Sequence, residues 1–157
     1  MRPILDLRRL NHSVMWLKFK MLTVKQVVSQ IRSEDWFVMI DLKDAYFHVS
    51  ILPQHKKFLM FAFRSEAYKY QFLPFGLALS PHMFKKCVDA ALAPLQLQGI
   101  HILNYFNDWL ISAQSESLAA RQCRVWFSDG RFLSGGISFH RWGASSFTPA
   151  RSCGCGP

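Results

Sequence analysis

Two apolar runs that each lead into a carboxylate constrain this chain more than anything else in it. Trp36-Phe37-Val38-Met39-Ile40 ends at Asp41, and a second stretch runs from Ile100 to Ile111. In the second, two short apolar runs flank Tyr105-Phe106-Asn107-Asp108, whose last three residues read as a tight reversal. The pattern predicts a β-hairpin in which Asn107-Asp108 supplies the positive φ angles of a short connection. One carboxylate on a turn is commonplace. Two strand ends that each present an Asp can hold divalent metal between them, and paired metals are what clamp the attacking and leaving oxygens of a phosphoryl transfer.

A chain of 157 residues, half of them hydrophobic and 18% charged, is long enough for one domain with a real core and too apolar for disorder. No apolar stretch approaches the ~20 residues of a membrane span, and no basic-plus-apolar leader opens the chain. The expectation is an intracellular protein, cytoplasmic or nuclear, with no membrane partner. Net charge is +9, and it is uneven: residues 1–90 hold 14 basic and 7 acidic residues, residues 91–157 hold 5 and 3. A basic, aromatic-rich first half suits a polyanion such as nucleic acid, bound through phosphate contacts and counterion release. The four cysteines, Cys87, Cys123, Cys153 and Cys155, form no C-x-x-C pair and no zinc spacing with any histidine, so neither a zinc module nor a disulfide scaffold is indicated. Cys87 reads as core.

Taken in order, Ile4, Leu5, Leu7 and Leu10 among charges predict a short strand running into a turn at Asn11. Thr23 to Ile31 predicts an amphipathic helix opened by a Thr23/Gln26 capping box. Trp36 to Asp41 predicts a central strand, apolar on both faces. Phe58–Phe63 and Tyr68–Phe72 predict a hairpin across the four-residue link 64–67. Leu73-Pro74-Phe75-Gly76-Leu77 is a punctuated loop. Ser80-Pro81 then predicts a helix start, Ser at the cap and Pro in the first turn. Its apolar stripe is Met83, Phe84, Cys87, Val88, Ala91, Leu92 and Leu95. After about Ser115 periodicity is lost, and 116–157 is expected to be mostly irregular. The whole predicts an α+β fold, helices on one face of an antiparallel sheet.

Four pieces of the chain, RPILDLRRLN (2–11), DWFVMIDLKDAYFHVSI (35–51), YKYQFLPFGLALSPHMF (68–84) and ILNYFNDWLI (102–111), fall in the order seen in reverse transcriptases. The chain resembles those of vertebrate retrotransposons of the DIRS-like and Gypsy-like kind over roughly residues 2–115. The resemblance implies the fingers–palm part of a right-hand polymerase, followed by a divergent tail at 116–157 with no recognisable thumb or ribonuclease H. It implies RNA-directed DNA synthesis on an RNA or DNA template with a primer, from deoxynucleotide triphosphates, with two Mg²⁺ ions (or Mn²⁺); oligomeric state stays open. The family's three palm carboxylates map onto Asp41, Asn107 and Asp108, so Asp41 and Asp108 are the implied metal ligands. Arg2, Asp44, Ala45, Tyr46, Phe75 and Gly76 match nucleotide-binding positions, Tyr46 as the ring that excludes a ribose 2′-hydroxyl. Pro81 and Phe84 match template-side positions.

The departure is Asn107, where the family has an aspartate. An ionised Asp offers Mg²⁺ a full charge, whereas Asn offers a neutral carbonyl oxygen and an amide that repels the ion. One lost charge partner at ~4 Å is worth about 4 kcal/mol at an effective dielectric of ~20. That is roughly a thousandfold in rate if it falls on the transition state. The resemblance also implies an upstream fingers segment before Met1 and a thumb beyond the hairpin, so a truncated, weak or inactive polymerase is expected. The basic surface alone also fits a non-catalytic nucleic-acid-binding remnant.

Overall fold

The Trp36–Asp41 run does form an interior strand, and the sheet is built outward from it. The computed structural model describes residues 5–15, 17–18, 20–128 and 134–141. Strand β1 (Trp36–Leu42) lies between β5 (Asp108–Ala113) and β6 (Ser134–Arg141), and β4 (His101–Tyr105) closes the order β4-β5-β1-β6, all antiparallel. Phe37, Val38, Ile40 and Leu42 are buried along β1, and Trp109 and Ile111 along β5. Each such side chain contributes about 1.5–3 kcal/mol by leaving water. Helix α4 (Glu116–Ser128) packs on β1 and β5, with Ala119 and Cys123 buried. Among the described residues no helix is long and apolar enough to cross a membrane.

Instead of a single domain, the contacts divide the chain into two compact units. One comprises Met1–Phe19 and Asp44–Asp89, the other Lys20–Lys43 and Ala90–Pro157. The four-stranded sheet belongs to the second, as does helix α2 (Val24–Ser29), where the predicted capping box is fully formed: Gln26 N donates to Thr23 Oγ1 and Thr23 N to Gln26 Oε1. Helix α3 (Ser80–Leu97) contributes residues to both.

In the first unit the segment expected as a strand and a turn is helix α1 (Arg8–Ser13). No residue of α1 is buried, so an apolar pattern could not reveal it. Its anchor is polar: Asn11 Nδ2 donates to the Gly76 carbonyl and Asn11 Oδ1 accepts from Ala78 N, both at 2.8 Å. The predicted hairpin is β2 (Met60–Phe63) and β3 (Glu66–Lys69), but the link is two residues rather than four. Arg64 and Ser65 both take positive φ, 50° and 65°, the signature of a type I′ turn that keeps pairing tight.

Three further expectations change. Ser80 is not the cap; it is buried inside the first turn of α3, and its hydroxyl donates to the Pro74 carbonyl at 2.8 Å. Cys87 is exposed rather than core. The stretch from residue 116, expected to be irregular, carries α4 and β6. There Gly135-Gly136 coincides with a β-bulge: Asp41 pairs Gly136 while Leu42 pairs Ser134. Residues 142–157 lie outside the described residues.

Replacing Asn11 by Ala removes both side-chain bonds to the 76–78 loop. We expect a loss of about 1–3 kcal/mol in the first unit, read by urea denaturation, with Asn11→Asp retaining only the contact from Ala78 N.

Candidate active site

Asp41 and Asp108 are opposite each other in the β1–β5 register, at the sheet end where β4 turns into β5. The turn is Phe106-Asn107. Positive φ falls on Phe106 (56°) and not on Asn107-Asp108 as the sequence suggested, which is the pattern of a type II′ turn, whose first central position is ordinarily Gly. A bulky residue there is strained, and two hydrogen bonds hold it. Trp109 Nε1 donates to the Phe106 carbonyl at 3.0 Å, and the Leu42 amide donates to the Asn107 carbonyl at 2.9 Å. The sequence reading missed both holders. Trp109 left a usable signal, since a buried indole must place its N–H somewhere; the Leu42 amide left none.

Both carboxylates are exposed enough to meet a ligand. Desolvation, and then the charge of Asp41, push the Asp108 carboxyl above its ordinary range. Asn107 Nδ2 donates to Asp41 Oδ1 at 2.8 Å. The expected third carboxylate position therefore sits within reach of the first, carrying an amide. Among the described residues no three His, Cys, Asp or Glu side chains are grouped to hold a metal. Two facing carboxylates with mutual repulsion still suit one divalent cation, with the Asn107 amide competing for one Asp41 oxygen.

The expected nucleotide-side residues belong to the first unit, except Arg2, which lies outside the described residues. Asp44 adopts a left-handed conformation (φ 54°, ψ 41°) ahead of the 3₁₀ turn Ala45–His48, and its carbonyl accepts from Phe47 N at 2.7 Å. Tyr46 is half-buried, and desolvation raises its phenol. Its ring lies 5.0 Å from Phe75 and 5.6 Å, edge-on, from Phe84. Gly76 has φ +92°, and a Cβ there would stand 3.4 Å from the Leu5 carbonyl. Phe84 is 1% exposed, so its side chain is a packing residue beneath Tyr46 rather than a direct template contact. Pro81 is half-buried in the first turn of α3. The structure thus groups Tyr46, Phe75 and Phe84, and separately Asp41, Asn107 and Asp108.

A family model for reverse transcriptase (RNA-dependent DNA polymerase) matches residues 1–131. The chain belongs to the reverse transcriptase family. Among relatives, the Gag-Pro-Pol polyprotein of squirrel monkey retrovirus is 36% identical over 95 residues, which is 55% of this chain and 5% of that protein. The retrovirus-related Pol polyprotein from transposon 297 of Drosophila melanogaster is 25% identical over 114 residues, 73% of this chain and 11% of that one. The chain therefore spans a small part of the relatives it matches. Among solved structures, a foamy viral protease-reverse transcriptase in complex with double-stranded DNA superposes with a TM-score of 0.70 at 17% identity, covering 83% of this chain and 23% of that one. Its likeness shows the fold, an α+β fingers–palm arrangement. The family match runs past residue 115, into α4.

The facing pair has a pH signature. The folded-state pKa of Asp108 is raised, so ionising it opposes folding: the penalty is absent below its ordinary 3.8 and fully present once pH passes the raised value. Asp108→Asn is expected to raise the melting temperature at pH 7, and the gain should vanish in melts run below pH about 3.8.

Proposed function

We propose that this chain is the fingers–palm portion of a retrotransposon reverse transcriptase, DIRS-like or Gypsy-like, impaired in template-directed DNA synthesis by Asn107. The observation that carries the reading is the register pair Asp41–Asp108 with the Asn107 amide bonded to Asp41. In this reading the fingers–palm part extends past residue 115 through α4, within the stretch that the family model matches.

The chain's own residues would act as follows. Asp41 and Asp108 would hold Mg²⁺ or Mn²⁺, their mutual repulsion relieved when a cation lies between them. Bound there, the ions would polarise the primer 3′-hydroxyl and neutralise charge on the phosphate being attacked. Asn107 supplies no charge, and its amide hydrogens repel a cation while occupying Asp41 Oδ1. Tyr46, buttressed by Phe75 and Phe84, would present a ring edge to the sugar of a deoxynucleotide and leave no room for a 2′-hydroxyl. Asp44, in its left-handed conformation, and Ala45 would offer backbone amides to the triphosphate. Arg2 would pair with the same group, and Pro81 would border the template.

The amide–carboxylate bond also favours a second reading, a nucleic-acid-binding remnant without chemistry. Primer extension on an RNA template with Mg²⁺ separates the two. Asn107→Asp should raise nucleotide incorporation roughly a thousandfold over the parent, in line with one restored charge at the metal. Asp41→Ala should abolish extension in either background. Equal incorporation by the parent and Asn107→Asp would overturn the impairment; silence in all variants with template binding retained would leave the remnant.

A further inference from the structure

The β2–β3 hairpin carries an aromatic face that none of the site residues above uses. Its register pairs Phe61 with Tyr68 and Phe63 with Glu66. Alternation therefore puts Phe61, Phe63, Glu66 and Tyr68 on one side of the ribbon and Lys69 on the other, with Tyr70 continuing the aromatic row. Phe61 stacks on Tyr68 (centroids 5.5 Å apart, planes 21° apart) and meets Tyr70 at 5.5 Å. Phe63 is 57% and Tyr68 46% exposed, while Phe61 and Tyr70 are half-buried. Exposed aromatics in such a row mark a contact surface.

The charge around the row selects the partner. From His55 to Tyr70 the segment holds four cations, Lys56, Lys57, Arg64 and Lys69, against Glu66 alone. Two of them lie over rings: the Arg64 guanidinium is 5.3 Å from the Phe63 centroid and Lys57 Nζ is 5.1 Å from that of Phe58. Rings for bases and cations for phosphates are the two elements of a single-strand platform. The spacing points the same way. Phe61 and Phe63 are two residues apart on one strand, roughly 7 Å. That is about twice the 3.4 Å stacking step, which leaves room for one unpaired base between the two rings rather than for a continuous duplex stack.

We propose that the Phe61–Phe63–Tyr68 face of the β2–β3 hairpin is a stacking platform for single-stranded nucleic acid, with Arg64 at its end as a phosphate contact. The proposal rests on the reading of nucleic acid as this chain's ligand, and it adds a contact surface independent of the carboxylate pair.

Fluorescence anisotropy of a labelled 12-nucleotide oligouridylate tests it on the full chain, with a 12-base-pair duplex as comparison. The single strand should bind more tightly than the duplex. Phe63→Ala combined with Tyr68→Ala should weaken single-strand binding tenfold or more while leaving the salt slope nearly unchanged. Arg64→Glu, at an exposed turn with the aromatics intact, should weaken binding and lower the slope of log affinity against log salt by about 0.7. A 5-bromouridine oligonucleotide should cross-link within residues 58–70. Unchanged affinity in both variants, or cross-links only elsewhere, overturns the platform while leaving nucleic-acid binding by this chain intact. Loss of self-association in the double variant, seen by sedimentation with oligonucleotide affinity unchanged, overturns it in favour of a second copy of the chain. Absence of oligonucleotide binding by the parent chain would remove the platform and its underlying reading together.

Discussion

The hydrogen bond from the Leu42 amide to the Asn107 carbonyl sets the geometry on which the carboxylate pair depends. It ties the end of the central strand to the β4–β5 turn, so Asp41 and Asp108 face each other instead of diverging as strand ends do. The same turn is held on its other side by the Trp109 indole, whose ring is 1% exposed. Phe106 can then occupy a backbone conformation that costs a non-glycine residue about 1–3 kcal/mol. A hairpin fixed only by its own pairing would relax that strain by shifting the turn. Anchored to a buried indole and to an interior strand, it cannot do so without breaking two bonds.

The loop that carries Phe75 and Gly76 is fixed by the same kind of device with different groups. Asn11 grips it at Gly76 and Ala78, and Ser80 reaches back to the Pro74 carbonyl. The Leu73 amide donates to the Val49 carbonyl at 3.0 Å. Polar side chains thus hold an irregular loop in place of a strand ladder, which leaves the Tyr46–Phe75–Phe84 cluster as the apolar floor beneath it. Asp41 and Asp108 are exposed and Asp44, Tyr46 and Phe75 half-buried, and the groups that position them are backbone amides, one indole, one amide and one hydroxyl.

What the sequence made legible follows from this division. Hairpins and the central strand were readable because apolar alternation and turn residues are local signals, and the Thr23/Gln26 box is a local signal too. The first helix was not, because its residues are held by Asn11 rather than by an apolar stripe. The location of positive φ was misplaced at the β4–β5 hairpin for a related reason. Asn and Asp tolerate that conformation intrinsically, but Arg64, Ser65 and Phe106 adopt it because strand pairing demands it there. Among the described residues after 115, the loss of periodicity coincides with a bulged strand that carries two glycines. Asp41 and Asp108 were legible as a pair; that the Asn107 amide would meet Asp41 was not, since spacing along the chain says nothing about a contact across 66 positions.

Asn107 has two separable parts, and the distinction bears on how such a site degrades. Its carbonyl receives the Leu42 amide, a role that any residue fills, because every residue carries a backbone carbonyl. Its side chain occupies the proposed third carboxylate position and contributes no charge. A change from Asp to Asn at this point therefore leaves the turn's support untouched and removes like-charge repulsion among clustered carboxylates, replacing it with a hydrogen bond to Asp41. Stability is expected to rise where metal-binding capacity falls. Carboxylate clusters oppose folding until a cation neutralises them, so loss of one carboxylate leaves a palm that holds its shape with less dependence on the ion.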